Sequence, residues 1–133
     1  MELVEHITCD GKPLVYIIRA ELSTERTKFL TPAEFKQQVG FVVYAAGGEI
    51  QRHVHNPIER HLVGTSEVLL VRKGRCEVDI YSDDRKLVAT RQLRHGDIIL
   101  TVAGGHGFRI LEDTVFLEVK QGPYTGVDDK VRF

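Results

Sequence analysis

The feature that most constrains the fold of this chain is a succession of short apolar or alternating runs, each closed off by turn residues. LVYIIRAEL (14–22), KFL (28–30), FVVYAA (41–46), EIQRHVH (49–55), EVLLVRKG (67–74) and RCEVDIYS (75–82) are followed by KLVATRQL (86–93), DIILTV (97–102), HGFRIL (106–111) and TVFLEVK (114–120). Val, Ile, Tyr, Phe and Thr recur within the runs, and Gly, Asp and Asn sit between them, which is the composition of strands and turns. On the order of ten short strands with almost no helix imply an all-β sandwich or barrel. Lys73-Gly74, Asp83-Asp84 and Glu112-Asp113 are the expected hairpin turns. Only TPAEFKQQVG (31–40) has helix signals: Thr31 as N-cap, Pro32 in the first turn, Glu34 to complete a capping box and Gly40 to stop it.

The chain has 133 residues, 42% hydrophobic and 28% charged, with a net charge of −1. That length predicts one domain burying about two-thirds of its unfolded surface in a single core. The near-neutral charge, with Lys and Arg scattered among acids and apolar residues, gives no basis for a nucleic-acid or membrane-surface partner. Cys9 and Cys76 are far apart in sequence and are expected to be reduced. MELVEHITCDGK carries acids where a secretory signal carries bases, and no run reaches membrane-spanning length, so a cytoplasmic location is expected.

Within this β pattern, polar residues stand at positions suited to chemistry. His53 and His55, two apart on a predicted strand, leave the same face, with Gln51 beside them. Glu67 opens an apolar strand that ends at Gly74, sharing a face with Leu69 and Val71, and GDIILTVAGGHGF supplies His106. Three imidazoles and a carboxylate suit a divalent transition metal with coordination positions left open.

Gly48, His53-x-His55, Glu67 and Gly74, then Gly96, Gly104 and His106, make the sequence resemble the cupin superfamily over about residues 41–119. The family's first motif runs Gly, His-x-His, Glu, Gly, and its second Gly, Pro-x-Gly, His. The resemblance implies a double-stranded β-helix, or jelly-roll barrel, with at most one short helix. It places the core barrel at about 41–119 of a single domain (1–133), with N-terminal strands (14–30) and a C-terminal tail (121–133) packing on it. It further implies one metal, Fe, Mn, Ni or Zn, held by His53, His55, Glu67 and His106.

Three departures stand out. Eleven residues separate His55 from Glu67, a longer gap than the family's. Glu59 has the shorter spacing and remains the alternative carboxylate, although it lies in the Pro-containing stretch NPIERHLVGTS. Val102 stands where proline is common, and a single residue separates Gly104 from His106.

Glu59, Arg60 and His61 are the candidates for a base or anion clamp at the mouth of the site. Cupins include dioxygenases, sugar isomerases and epimerases, and ligand-binding modules. The expectation is therefore a small metalloenzyme acting on a small polar metabolite or, alternatively, a non-catalytic module binding a sugar or organic acid. Cupins also commonly pair through N-terminal strands, which implies a homodimer using LVYIIRAEL.

Overall fold

The computed structural model describes residues 2–133, with the side chains of Val127 and Asp128 outside the description. The chain divides into two compact units, one formed by Met1–Leu22 with Thr65–Phe133 and the other by Ser23–Gly64.

The first unit is an all-β assembly of antiparallel strands. It contains β1 (Val4–Cys9), β2 (Lys12–Ile18), β5 (Glu67–Lys73), β6 (Arg75–Tyr81), β7 (Leu87–Arg94), β8 (Ile98–Thr101), β9 (Gly105–Ile110) and β10 (Val115–Lys120). These form a five-stranded sheet in the order β1-β2-β8-β5-β10 and a three-stranded sheet in the order β7-β6-β9. Neither sheet closes on itself, and β9 and β10 each lie at a free edge.

Alternation decides which residues face inward. Along β6, Cys76, Val78 and Ile80 are fully buried, while Arg75, Glu77, Asp79 and Tyr81 are not. These three join Leu93 of β7 and Leu14, Val15, Ile17, Leu69, Val71 and Ile99 of the five-stranded sheet in one hydrophobic cluster. Leu69 and Val71 are core residues on the face they share with Glu67, as the sequence pattern predicts. On the other face of β6, Arg109 bonds Asp79 and Glu77, and Thr90 donates to Asp79.

The apolar run at 14–22 ends as a strand at Ile18 and is paired on both sides, by β1 and by β8. All of Leu14–Ile18 is buried, which explains why it reads as a continuous apolar run rather than an alternating one. It is an interior strand; the N-terminal edge is β1.

Two of the expected hairpin turns are corners. β5 and β6 belong to different sheets, as do β9 and β10, so Lys73-Gly74 and Glu112-Asp113 carry the chain from one sheet to the other. Gly74 has φ +90°, and a Cβ there would collide with the carbonyl oxygen of Asp113 in the opposite corner. This close approach of two corners is what requires glycine. Asp83-Asp84 does close a hairpin, between the paired strands β6 and β7.

One buried ion pair fastens the β7–β8 turn to the end of β2. Arg19 Nη1 donates to Asp97 Oδ2 at 3.0 Å and to the Gln92 carbonyl at 2.7 Å. The remaining lone pairs of Asp97 take the backbone N–H groups of Ala20 and Arg94, both at 2.9 Å. Each oxygen of a fully buried carboxylate is thereby satisfied.

The second unit is mostly irregular. Its strands among the described residues are the two-residue pair β3 (Lys28–Phe29) and β4 (Gly40–Phe41). The helix expected at 31–40 is absent and a side-chain-stitched loop takes its place. Gln38 Nε2 donates to the carbonyls of Pro32, Ala33 and Phe35, and Thr31 Oγ1 accepts the Val39 N–H at 3.2 Å. Gln38 thus takes carbonyls that a helix would pair with its own backbone, and Thr31 caps across the loop instead of toward Glu34. FVVYAA continues as a strand only as far as Phe41, and EIQRHVH forms no strand. Among the described residues helix is confined to a 3₁₀ turn at Gly126–Asp129, and no helix is long and apolar enough to cross a membrane.

Candidate metal centre

The first unit brings Glu67 and His106 together. Glu67 begins β5 in the five-stranded sheet; His106 lies near the start of β9 in the three-stranded sheet. Register explains the meeting. His106, Phe108 and Ile110 lie opposite Ile80, Val78 and Cys76, so the imidazole is on the core-bearing face of its sheet. Glu67 shares the face of Leu69 and Val71. The two side chains approach to 3.3 Å between Nε2 and Oε1, partly shielded at 26% and 19% exposure. Phe108 stacks edge-on to His106 with centroids 5.7 Å apart, and Phe116 lies 5.1 Å beyond it, forming an apolar floor.

A third group, missed in the sequence, adjoins Glu67. Glu118 of β10 pairs opposite Leu69, diagonal to Glu67 across the β5–β10 ladder, while Lys120 is directly opposite Glu67. The hydrogen bond from His106, with a second from Glu118 and the charges of His106 and Lys120, lowers the Glu67 carboxyl to about 2 against the opposing effect of burial. Glu118 is pushed upward by its hydrogen bond to Glu67, by burial and by the Glu67 charge, so it is the member of the pair that holds a proton more readily. TVFLEVK carried a signal for this: its alternation puts Glu118 on the parity of Phe116, a charged residue on the face that packs against the core.

His53 and His55 lie in the second unit, on exposed irregular chain rather than on a strand. They remain neighbours, with ring centroids 5.2 Å apart and planes at 77°. The backbone holds one of them, since His53 Nδ1 shares a hydrogen bond with the Gln51 carbonyl at 2.8 Å, leaving Nε2 for another partner. Glu59, Arg60 and His61 are exposed on irregular chain of the same unit. Among the described residues, no three His, Cys, Asp or Glu side chains are grouped closely enough to hold a metal.

Glu67 and His106 are two donors of the types that bind divalent cations. Glu67 is an anion over most of the pH range, and His106 presents Nε2 to the same space. Imidazole nitrogen with carboxylate oxygen is a ligand combination for Fe, Mn, Ni or Zn. Cys76 plays no part; it is free and buried, and burial pushes its thiol upward, as expected of a packing residue. The other histidines have separate settings, His6 stacked on Tyr16 at 4.1 Å and His95 exposed in the β7–β8 turn.

No protein-family model matches this chain, and neither curated proteins nor solved structures give a match.

Proposed function

We propose that this chain is a cupin-type jelly-roll metalloprotein whose divalent metal takes His53, His55, Glu67 and His106 as ligands. The observation that carries this reading is the Glu67–His106 pair, two donors from facing sheets at 3.3 Å with the carboxylate held anionic. A metal there would supply Lewis acidity, with coordination positions left for a small polar substrate. The protein's own contribution is a partly shielded site with the Phe108 and Phe116 rings on one side and the Glu118 carboxyl on another. Glu118 can give or accept a proton there. Oxygenase-like or isomerase-like chemistry on a small metabolite is the function these groups support best, in a cytoplasmic homodimer.

The test is elemental analysis of tag-free protein beside a His53→Ala/His55→Ala double variant. The expected result is about one metal per parent chain and none in the folded variant. Iron directs the next assay to dioxygen consumption, and zinc, nickel or manganese to isomerisation. Metal without turnover identifies a binding module. No metal in the parent after reconstitution overturns the reading.

A further inference from the structure

A cleft of about 230 Å³ lies where the chain leaves β10, lined in part by Lys120, Tyr124, Thr125, Asp129, Lys130 and Arg132. The segment that encloses it is tethered. Thr65 Oγ1 donates to Asp129 Oδ1 at 2.9 Å, and the Ser66 N–H donates to Gln121 Oε1 at 2.6 Å. At the chain's end, the Phe133 ring packs edge-on to Tyr81 at 5.1 Å and lies under the Arg85 guanidinium.

The charge of the lining is one-sided. Lys120, Lys130 and Arg132 contribute three cations, against which Asp129 is the one acid among the described lining residues, and it already accepts a hydrogen bond from Thr65. None of the three cations is in an ion pair among the described residues. Their field extends to the neighbouring carboxyl pair: Lys120 acts on Glu67 and Glu118, and Lys130 acts on Glu118. Ammonium groups attract an anion as point charges, and a guanidinium can clamp a carboxylate or phosphate through two parallel N–H bonds. The volume falls below the roughly 300–1,000 Å³ of pockets for drug-sized ligands, so the occupant is small.

We propose that this cleft is an anion subsite that takes the carboxylate or phosphate group of a small acid. Lys120, Lys130 and Arg132 supply the charge, and Thr125 and Tyr124 supply hydroxyl donors. This goes beyond the metal reading, because the cleft's own cations would bind the anion without any metal.

The experiment uses the full-length protein, stripped of metal by a chelator and then desalted, titrated separately with malonate and inorganic phosphate by calorimetry. Saturable binding of at least one is expected, weakened several-fold between about 50 and 200 mM salt as charge pairing is screened. The tighter of the two identifies the group as carboxylate or phosphate. A Lys130→Gln/Arg132→Gln double variant with an unchanged melting temperature should bind about tenfold more weakly or worse. Lys73→Gln, which removes an exposed lysine at the opposite end of the β5–β10 ladder from Lys120, should bind as the parent does. No saturation by either anion up to about 20 mM, far weaker than a functional subsite requires, overturns the proposal. So does an equal loss in the Lys73 variant, or no loss in the double variant. Metal content is measured separately, so failure of the anion subsite and failure of the metal site are distinguishable.

Discussion

The two units of this chain contain segments of similar strand-like composition and put them to different ends. In the first unit, RCEVDIY finds a partner on each side, in β7 and β9, and becomes a seven-residue strand. In the second unit, FVVYAA carries as much β propensity, yet only Phe41 is in a ladder, and Val42 and Tyr44 are each more than half exposed. The difference teaches that a strand is made by its neighbours. Propensity and alternation describe which residues suit a pleated surface, while the ladder needs an edge to pair with and a face to bury.

The same contrast predicts how each unit responds to damage. The largest effect is expected at Asp97. Asp97→Ala leaves the Arg19 charge buried with one fewer partner and orphans the Ala20 and Arg94 N–H groups. A loss of about 3–5 kcal/mol should be seen in chemical denaturation. A loss below about 1 kcal/mol, the scale of a surface pair, would mean the ion pair does not organise the β7–β8 turn.

A smaller effect belongs to the loop of the second unit. Gln38→Ala removes the donor to the carbonyls of Pro32, Ala33 and Phe35, at a cost of about 1 kcal/mol. Hydrogen exchange should accelerate at the Phe35 and Val39 amides, with exchange in β6 unchanged. If β6 accelerates equally, the two units open as one and the comparison between them fails.

The smallest effect is electrostatic. Arg91 bonds both carboxylate oxygens of Glu5, through Nε at 3.0 and 2.9 Å and Nη2 at 2.6 Å, holding the Glu5 carboxyl below its ordinary value. A depressed carboxyl stabilises the fold above its unfolded-state pKa, and that contribution is lost as pH falls through the folded-state value. Arg91→Ala should therefore cost about 0.5–1 kcal/mol at pH 7, since the pair is partly exposed and screened. The difference from the parent should fade as the solution is acidified past the carboxylate range. A difference that persists at low pH would assign the effect to lost packing by the arginine stem.

These contrasts also explain what could be read in the sequence. The strands of the first unit were legible at 67–120 because β5 and β6 alternate toward one buried face and β8 is a short apolar run between turn residues. Glu67 and His106 were legible for the same reason, as polar residues on core-facing parity at the ends of apolar strands. Glu118 had an equal parity signal in TVFLEVK, without a histidine-rich motif around it to attract notice. β1 was missed because VEHITC mixes charged and polar residues with few apolar ones, as suits an edge strand with one buried isoleucine. The helix signals at 31–40 were local, and no helix forms there. They lost to the Gln38 amide, whose reach back to three carbonyls no capping rule anticipates. The two corners were misread as hairpins because turn chemistry fixes a reversal or bend without fixing which sheet receives the next strand.

The proposal that His53, His55, Glu67 and His106 ligate one metal has a direct test. Titrating Mn²⁺ at substoichiometric levels into protein labelled at the histidine rings tests it without any substitution, because the paramagnetic ion broadens only nearby resonances. The account predicts that the rings of His53, His55 and His106 broaden together, while those of His6, stacked on Tyr16, and His95, in the β7–β8 turn, stay sharp. Broadening of His53 and His55 with His106 left sharp would contradict it.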